Sequence, residues 1–188
     1  MAVRLWITGS GALFARPEMR ADLVTYDTIT PFAARGLLDA IHWRPAIRWV
    51  IDRIHVMNPP TLVEVVGAPG GAKRIALDHV SYLLDAHFEL TDRAGPDERA
   101  GQHAAMFRRR LAQKRFKRPL YLGRPEFDAQ VQLLQNEDDF PRASWQSEAD
   151  LGWMLHDMAN DGTLRFFRAK VRGGVMEVPP PGSPDLVG

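Results

Sequence analysis

The segment IRWVIDRIHVM, from Ile47 to Met57, carries β-branched and apolar side chains on both faces of an extended chain. A strand with one face in water alternates apolar and polar residues, so a strand that is apolar on both faces belongs inside a sheet. The residues NPP that follow are a turn signal and end the strand. The sequence therefore predicts a sheet built around this central strand.

Three other segments are predicted strands. VRLWIT, near the N-terminus, and SYLLDAHFEL, from Ser81 to Leu90, alternate along the chain with a period of two, and EFDAQVQLL follows from Glu126 to Leu134. Together with the central strand they make four core strands.

Two segments are predicted helices. Thr30 can cap a helix that has Pro31 at its first position and an apolar face formed by Ala34, Leu37, Leu38 and Ile41. A second helix lies in GQHAAMFRRRLAQKRFKRP, from Gly101 to Pro119. The order strand, helix, strand, strand, helix, strand predicts an α+β fold with a ferredoxin-like βαββαβ core over residues 1–135.

The C-terminal part of the chain is predicted to form a β-hairpin appendage. After an acidic linker, LGWMLHDM and RFFRAKVRGGVMEV have strand patterns, and the hairpin turns at Gly173 and Gly174. Linker and appendage together span residues 136–178. The Pro-rich residues 179–188 are predicted to be a disordered tail.

The positive charge of the chain is concentrated rather than large. Formal net charge is only +1, yet the stretch from Arg108 to Arg118 contains no acid and seven cations, Arg108, Arg109, Arg110, Lys114, Arg115, Lys117 and Arg118. The predicted hairpin adds a second basic face, formed by Arg168, Lys170 and Arg172. Each element alone is typical of a solvated surface, whereas the two together favour a groove for a polyanion.

The loop GAPGGAKR, from Gly67 to Arg74, only partly resembles a phosphate-binding loop. Walker A requires Gly where Ala72 stands and Ser or Thr at the last position, which excludes nucleotide hydrolysis by this motif. The loop is predicted to be mobile, with Lys73 and Arg74 as possible phosphate contacts.

Composition indicates a cytoplasmic protein without a metal or cofactor. The chain has no cysteine, no apolar run of membrane-spanning length and no signal-peptide pattern. Its histidines lack metal-ligand spacing, and acids such as Asp138 and Asp139 are typical of a solvated linker.

His42 and His103 fall on the apolar sides of the two predicted helices, where a histidine is often a packing residue. Two histidines can also cut RNA without a metal, because one accepts the 2′-hydroxyl proton while the other protonates the leaving oxygen. The residues alone leave both readings open.

Seven segments resemble, in the same order, the subtype I-C members of the Cas-five family of CRISPR systems. They are ALFARPE, YDTITPFAARGLLDAIHWRPAIRWVIDRIHVMNP, LLDAHFEL, AGQHAAMFRRR, PLYLGRPEF, LGWMLHDM and FFRAKVRGGVMEVP, and they span residues 12–179. The resemblance implies a ferredoxin-like (RRM/RAMP) domain with a C-terminal β appendage. It also implies two RNA partners, the precursor CRISPR RNA (pre-crRNA) repeat hairpin and the 5′ handle of the mature crRNA. The implied protein partners are the repeated backbone subunit and the large subunit of the Cascade complex.

The resemblance also implies a site. Catalysis in the family is attributed to a Tyr before the Trp that ends the first helix and to a Lys-His pair at the start of the second, which correspond here to His42 and to Gln102-His103. Gln102 lacks the positive charge that would stabilise a phosphorane, so Arg108 or Arg109 would have to supply it. Tyr26 lies in a matching segment and is either an RNA contact or a packed residue.

Helix dipoles give the expected roles of the two histidines. The neutral ring is favoured at a helix N-terminus and the imidazolium at a C-terminus, so His103 is the expected base and His42 the expected acid. If His42 instead takes over the role of the family Tyr as proton acceptor, the assignment is reversed, with His42 as the base and His103 as the acid. Two functions follow, a metal-independent endoribonuclease that cuts pre-crRNA, or a noncatalytic subunit that caps the 5′ handle.

Overall fold

The computed structural model describes residues 2–19, 22–65, 73–135, 140–159 and 161–188. Within these ranges the chain forms nine strands and two helices. In chain order they are β1 (Ala2–Ala12), β2 (Leu23–Val24), α1 (Pro31–Ile41), β3 (Ile47–Val56), β4 (Thr61–Val65), β5 (Arg74–Leu90), α2 (Ala100–Ala112), β6 (Gln130–Leu134), β7 (Ala149–Met158), β8 (Leu164–Arg172) and β9 (Val175–Glu177). No helix in the described ranges is long and apolar enough to cross a membrane.

The strands form one sheet in the order β6-β1-β5-β3-β9-β8-β7, and all pairs along this path are antiparallel. The chain is therefore an α+β protein with a large antiparallel sheet, as the sequence predicts at this level. β5 is its longest strand and pairs with β1, β3 and β4 and, in parallel, with β2. β2 and β4 are not predicted from the sequence, and β5 begins at Arg74, seven residues before the predicted start.

The predicted central strand is β3. It lies between β5 and β9, and one of its faces is buried along the strand, with Trp49 and Ile51 each no more than 5% exposed. The other face is buried at Val50 but carries exposed or half-buried polar residues elsewhere, so the prediction of two apolar faces is wrong for most of the strand. The Trp49 ring packs 4.9 Å from that of Phe107 in α2, and its Nε1–H donates to the His42 carbonyl oxygen after α1 at 2.9 Å. Trp49 thus fixes the end of α1 relative to α2.

Helix α1 forms as the sequence predicts. The Thr30 hydroxyl accepts from the Ala33 amide at 3.1 Å, and Pro31 occupies the first position, where a missing amide costs nothing. The predicted apolar face is buried, formed by Ala34, Leu37, Leu38 and Ile41. His42 caps the C-terminus, since its amide donates to the Leu38 carbonyl at 2.8 Å.

Helix α2 ends before the basic stretch does. It buries Ala104, Phe107 and Leu111 together with His103, and its last two basic residues are Arg109 and Arg110. The chain leaves the helix at Lys114, which has a positive φ of 51°. Arg115 and the three residues after it therefore lie outside the helix, in a turn that folds back toward α1.

The C-terminal hairpin turns at Gly173 and Gly174 as predicted, but it is not a separate layer. Its second strand, β9, pairs with β3, so one sheet runs through the core and the appendage. The tail at residues 179–188, expected to be disordered, is instead paired with β8, where Phe166 and Val187 exchange two backbone hydrogen bonds at 2.8 and 2.9 Å. The prolines of the tail have no backbone N–H to donate, but Val187, which follows them, does and can therefore pair with β8. The acidic linker at Glu137 to Asp139 lies outside the described residues, so the boundary at 135 stays a prediction.

Alanine substitutions at two glycines, one within α1 and one in the connection between α2 and β6, are expected to have opposite effects on stability. Gly123 has a φ of +83°, and a Cβ there would overlap the Leu13 carbonyl oxygen, whereas Gly36 lies inside α1 with nothing within 4 Å of a Cβ. We expect G123A to lower the free energy of unfolding by about 2–4 kcal/mol. We expect G36A to raise it by about 0.5–1 kcal/mol, because alanine loses less backbone entropy in a helix. Urea denaturation of both variants measures the difference, and equal effects would contradict the placement of these residues.

Candidate functional site

The fold brings His42 and His103 into direct contact. His42 follows the last residue of α1, His103 lies in the first turn of α2, and His42 Nε2 is 3.1 Å from His103 Nδ1. Both residues are buried, with 1% and 6% of their surface exposed. The ends of two helices that are distant in sequence thus meet on one side of the sheet, with one imidazole from each.

A cleft of about 390 Å³ opens beside the two rings. The polar residues that line it are His42, Arg44, Arg93, Glu98, Gln102 and His103. Arg44, Arg93 and Glu98 are absent from the sequence predictions. Arg44 stands two positions after His42, and Arg93 and Glu98 lie in the connection between β5 and α2, where no periodic pattern marks them.

The environment of His42 favours its neutral form. Burial, followed by the positive charges of Arg110, His103, Arg44 and Lys117, lowers the pKa of His42 to about 4. Burial therefore disfavours the imidazolium that the expected acid role of His42 requires, against the effect of the helix dipole, and the assignment of acid and base stays a prediction. A neutral imidazole can accept a proton, which favours the assignment of His42 as the base.

Gln102 acts as a helix cap. It is exposed, and its Oε1 accepts from the backbone N–H of Arg99 at 3.3 Å, which satisfies a free amide at the N-terminus of α2. It also lines the cleft, but the two cationic side chains there are Arg44 and Arg93 rather than the predicted Arg108 and Arg109. Among the described residues, no group of three or more His, Cys, Asp or Glu side chains is arranged to hold a metal ion.

Three cations of the basic stretch donate to backbone carbonyls of α1 or of the turn that follows it. Arg110 donates to the Ile41 carbonyl at 3.2 Å, Lys117 to the Trp43 carbonyl at 2.9 Å, and Arg118 to the Gly36 carbonyl at 3.3 Å. The carbonyls at a helix C-terminus carry partial negative charge and need donors. Arg110 and Lys117 therefore hold the end of α1 in place, while Arg118 contacts the middle of the helix, and the charge pattern alone does not reveal either role.

The other four cations of the stretch lie at three places. Arg109 and Arg115 line a groove of about 500 Å³ together with Met106, Arg110, Gln113, Phe116 and Lys117. Arg108 lines a different cleft, which also contains Asp85 and Glu89. Lys114 is exposed at the end of α2. The groove, lined by four cations and no acid, is the most basic of these surfaces.

The remaining predicted RNA contacts fall into three groups. Tyr26 is a packed residue and not a surface contact, since only 1% of it is exposed and burial raises its pKa to about 12. Arg74 is paired with Glu126, and Lys73 is exposed at the end of a loop whose residues 66–72 lie outside the described part of the chain. The predicted basic face of the hairpin carries Arg168, Lys170 and Arg172, all exposed.

The basic face of the hairpin is partly neutralised. Asp150 in the neighbouring strand β7 accepts from Arg168 at 2.9 Å and is opposite Lys170 in the strand register. The sequence places Asp150 among the acids that follow the linker, but only strand pairing places it beside these cations. Arg172 lies at the end of β8, next to the Gly173 turn.

Comparison with known proteins identifies the family of this chain. A family model described as CRISPR-associated protein (Cas_Cas5) matches residues 2–179. The chain belongs to this CRISPR-associated family, and the model that matches it is that of the Cas5d branch.

Two relatives carry the name CRISPR pre-crRNA endoribonuclease Cas5d. The protein from Mannheimia succiniciproducens is 39% identical over 95% of this chain and 95% of its own length. The protein from Thermus thermophilus is 31% identical over 95% of this chain and 91% of its own length.

Two crystal structures share the fold. A functionally uncharacterized protein from Streptococcus mutans superposes with a TM-score of 0.82 and 23% identity over 100% of this chain and 97% of that one. A structure described as a CRISPR-associated protein superposes with a TM-score of 0.84 and 22% identity over 100% of this chain and 97% of that one.

Proposed function

We propose that this chain is a pre-crRNA endoribonuclease of a subtype I-C CRISPR system, and that it cuts the repeat without a metal ion. The observation that carries the proposal is the contact between His42 and His103 at the edge of a cleft that also contains Arg44 and Arg93. The names of the two Cas5d relatives support the same reaction.

We assign a role to each group on the basis of this geometry. His42, kept neutral by burial, accepts the proton of the 2′-hydroxyl as that oxygen attacks the scissile phosphorus. His103 donates a proton to the 5′ oxygen as the bond from phosphorus to that oxygen breaks. The products are a 2′,3′-cyclic phosphate and a free 5′-hydroxyl, and the proton taken by His42 balances the one given by His103.

Arg44 and Arg93 replace the positive charge that Gln102 lacks. Both side chains are exposed and line the cleft of the histidine pair, so a phosphate in the cleft would lie beside two guanidinium groups. Guanidinium groups donate two hydrogen bonds in a plane and suit the oxygens of a pentavalent phosphorane. The groove of Arg109 and Arg115 would hold neighbouring phosphates of the repeat.

A second function is favoured by one observation. In the free protein the two catalytic rings are bonded to each other, and the position of the family lysine is occupied by a helix cap, Gln102. A chain with this site could bind the 5′ handle of the guide RNA within Cascade and leave cleavage to another enzyme.

One experiment separates the two functions. Purified protein is incubated with its repeat hairpin RNA in EDTA, and the products are analysed for a 2′,3′-cyclic phosphate. We expect one cut per repeat with that end group. Tight binding without a cut identifies the guide-capping function, and a cut that requires added Mg²⁺ contradicts the metal-independent reaction.

The proposal extends to fold and partners. We infer a ferredoxin-like core, supported by the order of the four predicted core strands in the sheet, fourth (β6), first (β1), third (β5) and second (β3). As a subunit of a cytoplasmic Cascade complex, the chain would contact the repeated backbone subunit and the large subunit. Copurification with the proteins of its own operon tests these contacts.

A further inference from the structure

We propose that Glu98 is a positioning residue that fixes the orientation and tautomer of His103, so that Nδ1 of this ring is the nitrogen that works on the substrate. Glu98 Oε1 lies 3.5 Å from His103 Nε2, on the side of the ring that faces away from His42. The inference rests on the proposed function for its catalytic consequence, but the orientation itself is a property of the protein without RNA.

The Glu98 carboxylate is held in place by its own turn. Its Oε2 accepts from the Gly95 amide at 2.9 Å, and the Glu98 amide donates to the Gly95 carbonyl at 3.0 Å. One carboxylate oxygen is thus occupied by the backbone, which leaves Oε1 directed at the imidazole. The side chain is 37% exposed, whereas that of His103 is 8% exposed, so the carboxylate lies between the buried ring and solvent.

His103 Nε2 needs such an acceptor. The atom is buried and has no hydrogen-bond partner among the described residues, and a closure of about 0.5 Å would bring Glu98 Oε1 within ordinary hydrogen-bond distance. The charged and titratable side chains around the ring are Arg44, Arg93 and His42 in the cleft together with Glu98, and Phe88 of β5 lies against it with ring centroids 6.2 Å apart. Glu98 is the one acid among the described residues that line this cleft.

The position of the proton follows from this arrangement. A carboxylate only accepts, so it selects the form of His103 that carries a proton on Nε2. In the neutral ring Nδ1 is then an acceptor for His42, and in the protonated ring Nδ1–H is a donor that faces the site of His42 and the substrate. A carboxylate behind a catalytic imidazole serves the same purpose in other acid–base sites.

The first test uses the protein without RNA. Nitrogen-15 NMR of the histidine side chains reports which ring nitrogen of His103 is protonated at neutral pH. We expect a proton on Nε2 in the parent and in E98Q, whose amide oxygen still accepts, and a mixed or inverted tautomer in E98A. D97N removes a neighbouring exposed acid with the same change of charge and serves as the matched control. An unchanged His103 tautomer in E98A overturns the proposal.

The second test measures the effect of Glu98 on the rate of RNA cleavage. We expect E98A to slow single-turnover cleavage of the repeat by about 10- to 100-fold, with E98Q less affected, D97N unaffected and RNA affinity unchanged in all three. Identical rates for E98A and D97N overturn the catalytic role of the orientation. If the parent does not cleave, the proposed reaction fails, and the tautomer comparison alone decides whether Glu98 positions His103.

Discussion

Replacing His42 with alanine is expected to slow cleavage of the repeat hairpin by about 10²- to 10⁴-fold at saturating RNA, with little change in affinity. The neutral imidazole, 3.1 Å from His103, is the group that can remove the 2′-hydroxyl proton, and alanine leaves no acceptor in its place. H103A should have an effect of the same order. Because the two rings act in one step, the double variant should be little slower than either single variant.

His156 provides a matched control for this prediction. It is buried to a similar degree, at 7% exposed, but lies in β7, where its Nε2 pairs with the Pro179 carbonyl at 2.8 Å. H156A therefore removes a buried imidazole and its packing without touching the cleft. Single-turnover rates and RNA affinities of H42A, H103A and H156A are compared at one pH. If H42A and H156A cut RNA equally fast, the catalytic site lies elsewhere.

The double variant R109A/R115A is expected to bind repeat RNA at least tenfold more weakly at low salt. Both side chains line the basic groove, and each phosphate contact that is lost also removes the release of bound counterions. The slope of log affinity against log salt should therefore fall by about 1 to 2 in magnitude. Filter binding or fluorescence anisotropy over a series of salt concentrations measures both quantities.

The control for this variant must remove two arginines without changing the groove. R48A/R53A meets this condition, because Arg48 and Arg53 lie in β3 and form exposed ion pairs with Glu89 and Glu177. Equal loss of affinity in the two double variants would show that binding depends on net charge and not on this groove. Arg110 is not a suitable target, since removing it also frees the Ile41 carbonyl at the end of α1.

Periodicity is sufficient to predict the main strands and both helices. β3 and α1 are predicted nearly to their ends because their patterns depend on local burial and capping. β2 and β4 are not predicted because both are short and β4 is mostly exposed. They are strands only through their pairing with the first half of β5. That half of β5 lies directly after the loop, where glycine and proline conceal the start of the strand pattern.

The candidate site is only partly visible in the sequence. Helix ends and the family pattern indicate His42 and His103, but their roles depend on burial, which a helix dipole does not predict. Glu98 and Arg93 belong to an irregular connection, so nothing in their spacing relates them to the histidines. Lys117 appears in the sequence as one free cation among several, whereas the fold gives it a carbonyl partner and the Trp43 ring 4.9 Å away.

The three-residue strand β9 determines when the sheet can be completed. Arg53 in β3 and Glu177 in β9 are paired across a separation of 124 positions in the chain, although β3 is among the first strands to be synthesised. Contacts of such long range form slowly, because a large loop must close before any hydrogen bond compensates for its entropy. While the polypeptide is still being synthesised, the outer edge of β3 therefore stays open to strands of other chains until Val175 and the rest of β9 have been made. Truncation of the chain before Val175 would therefore leave this edge of β3 permanently without its β9 partner.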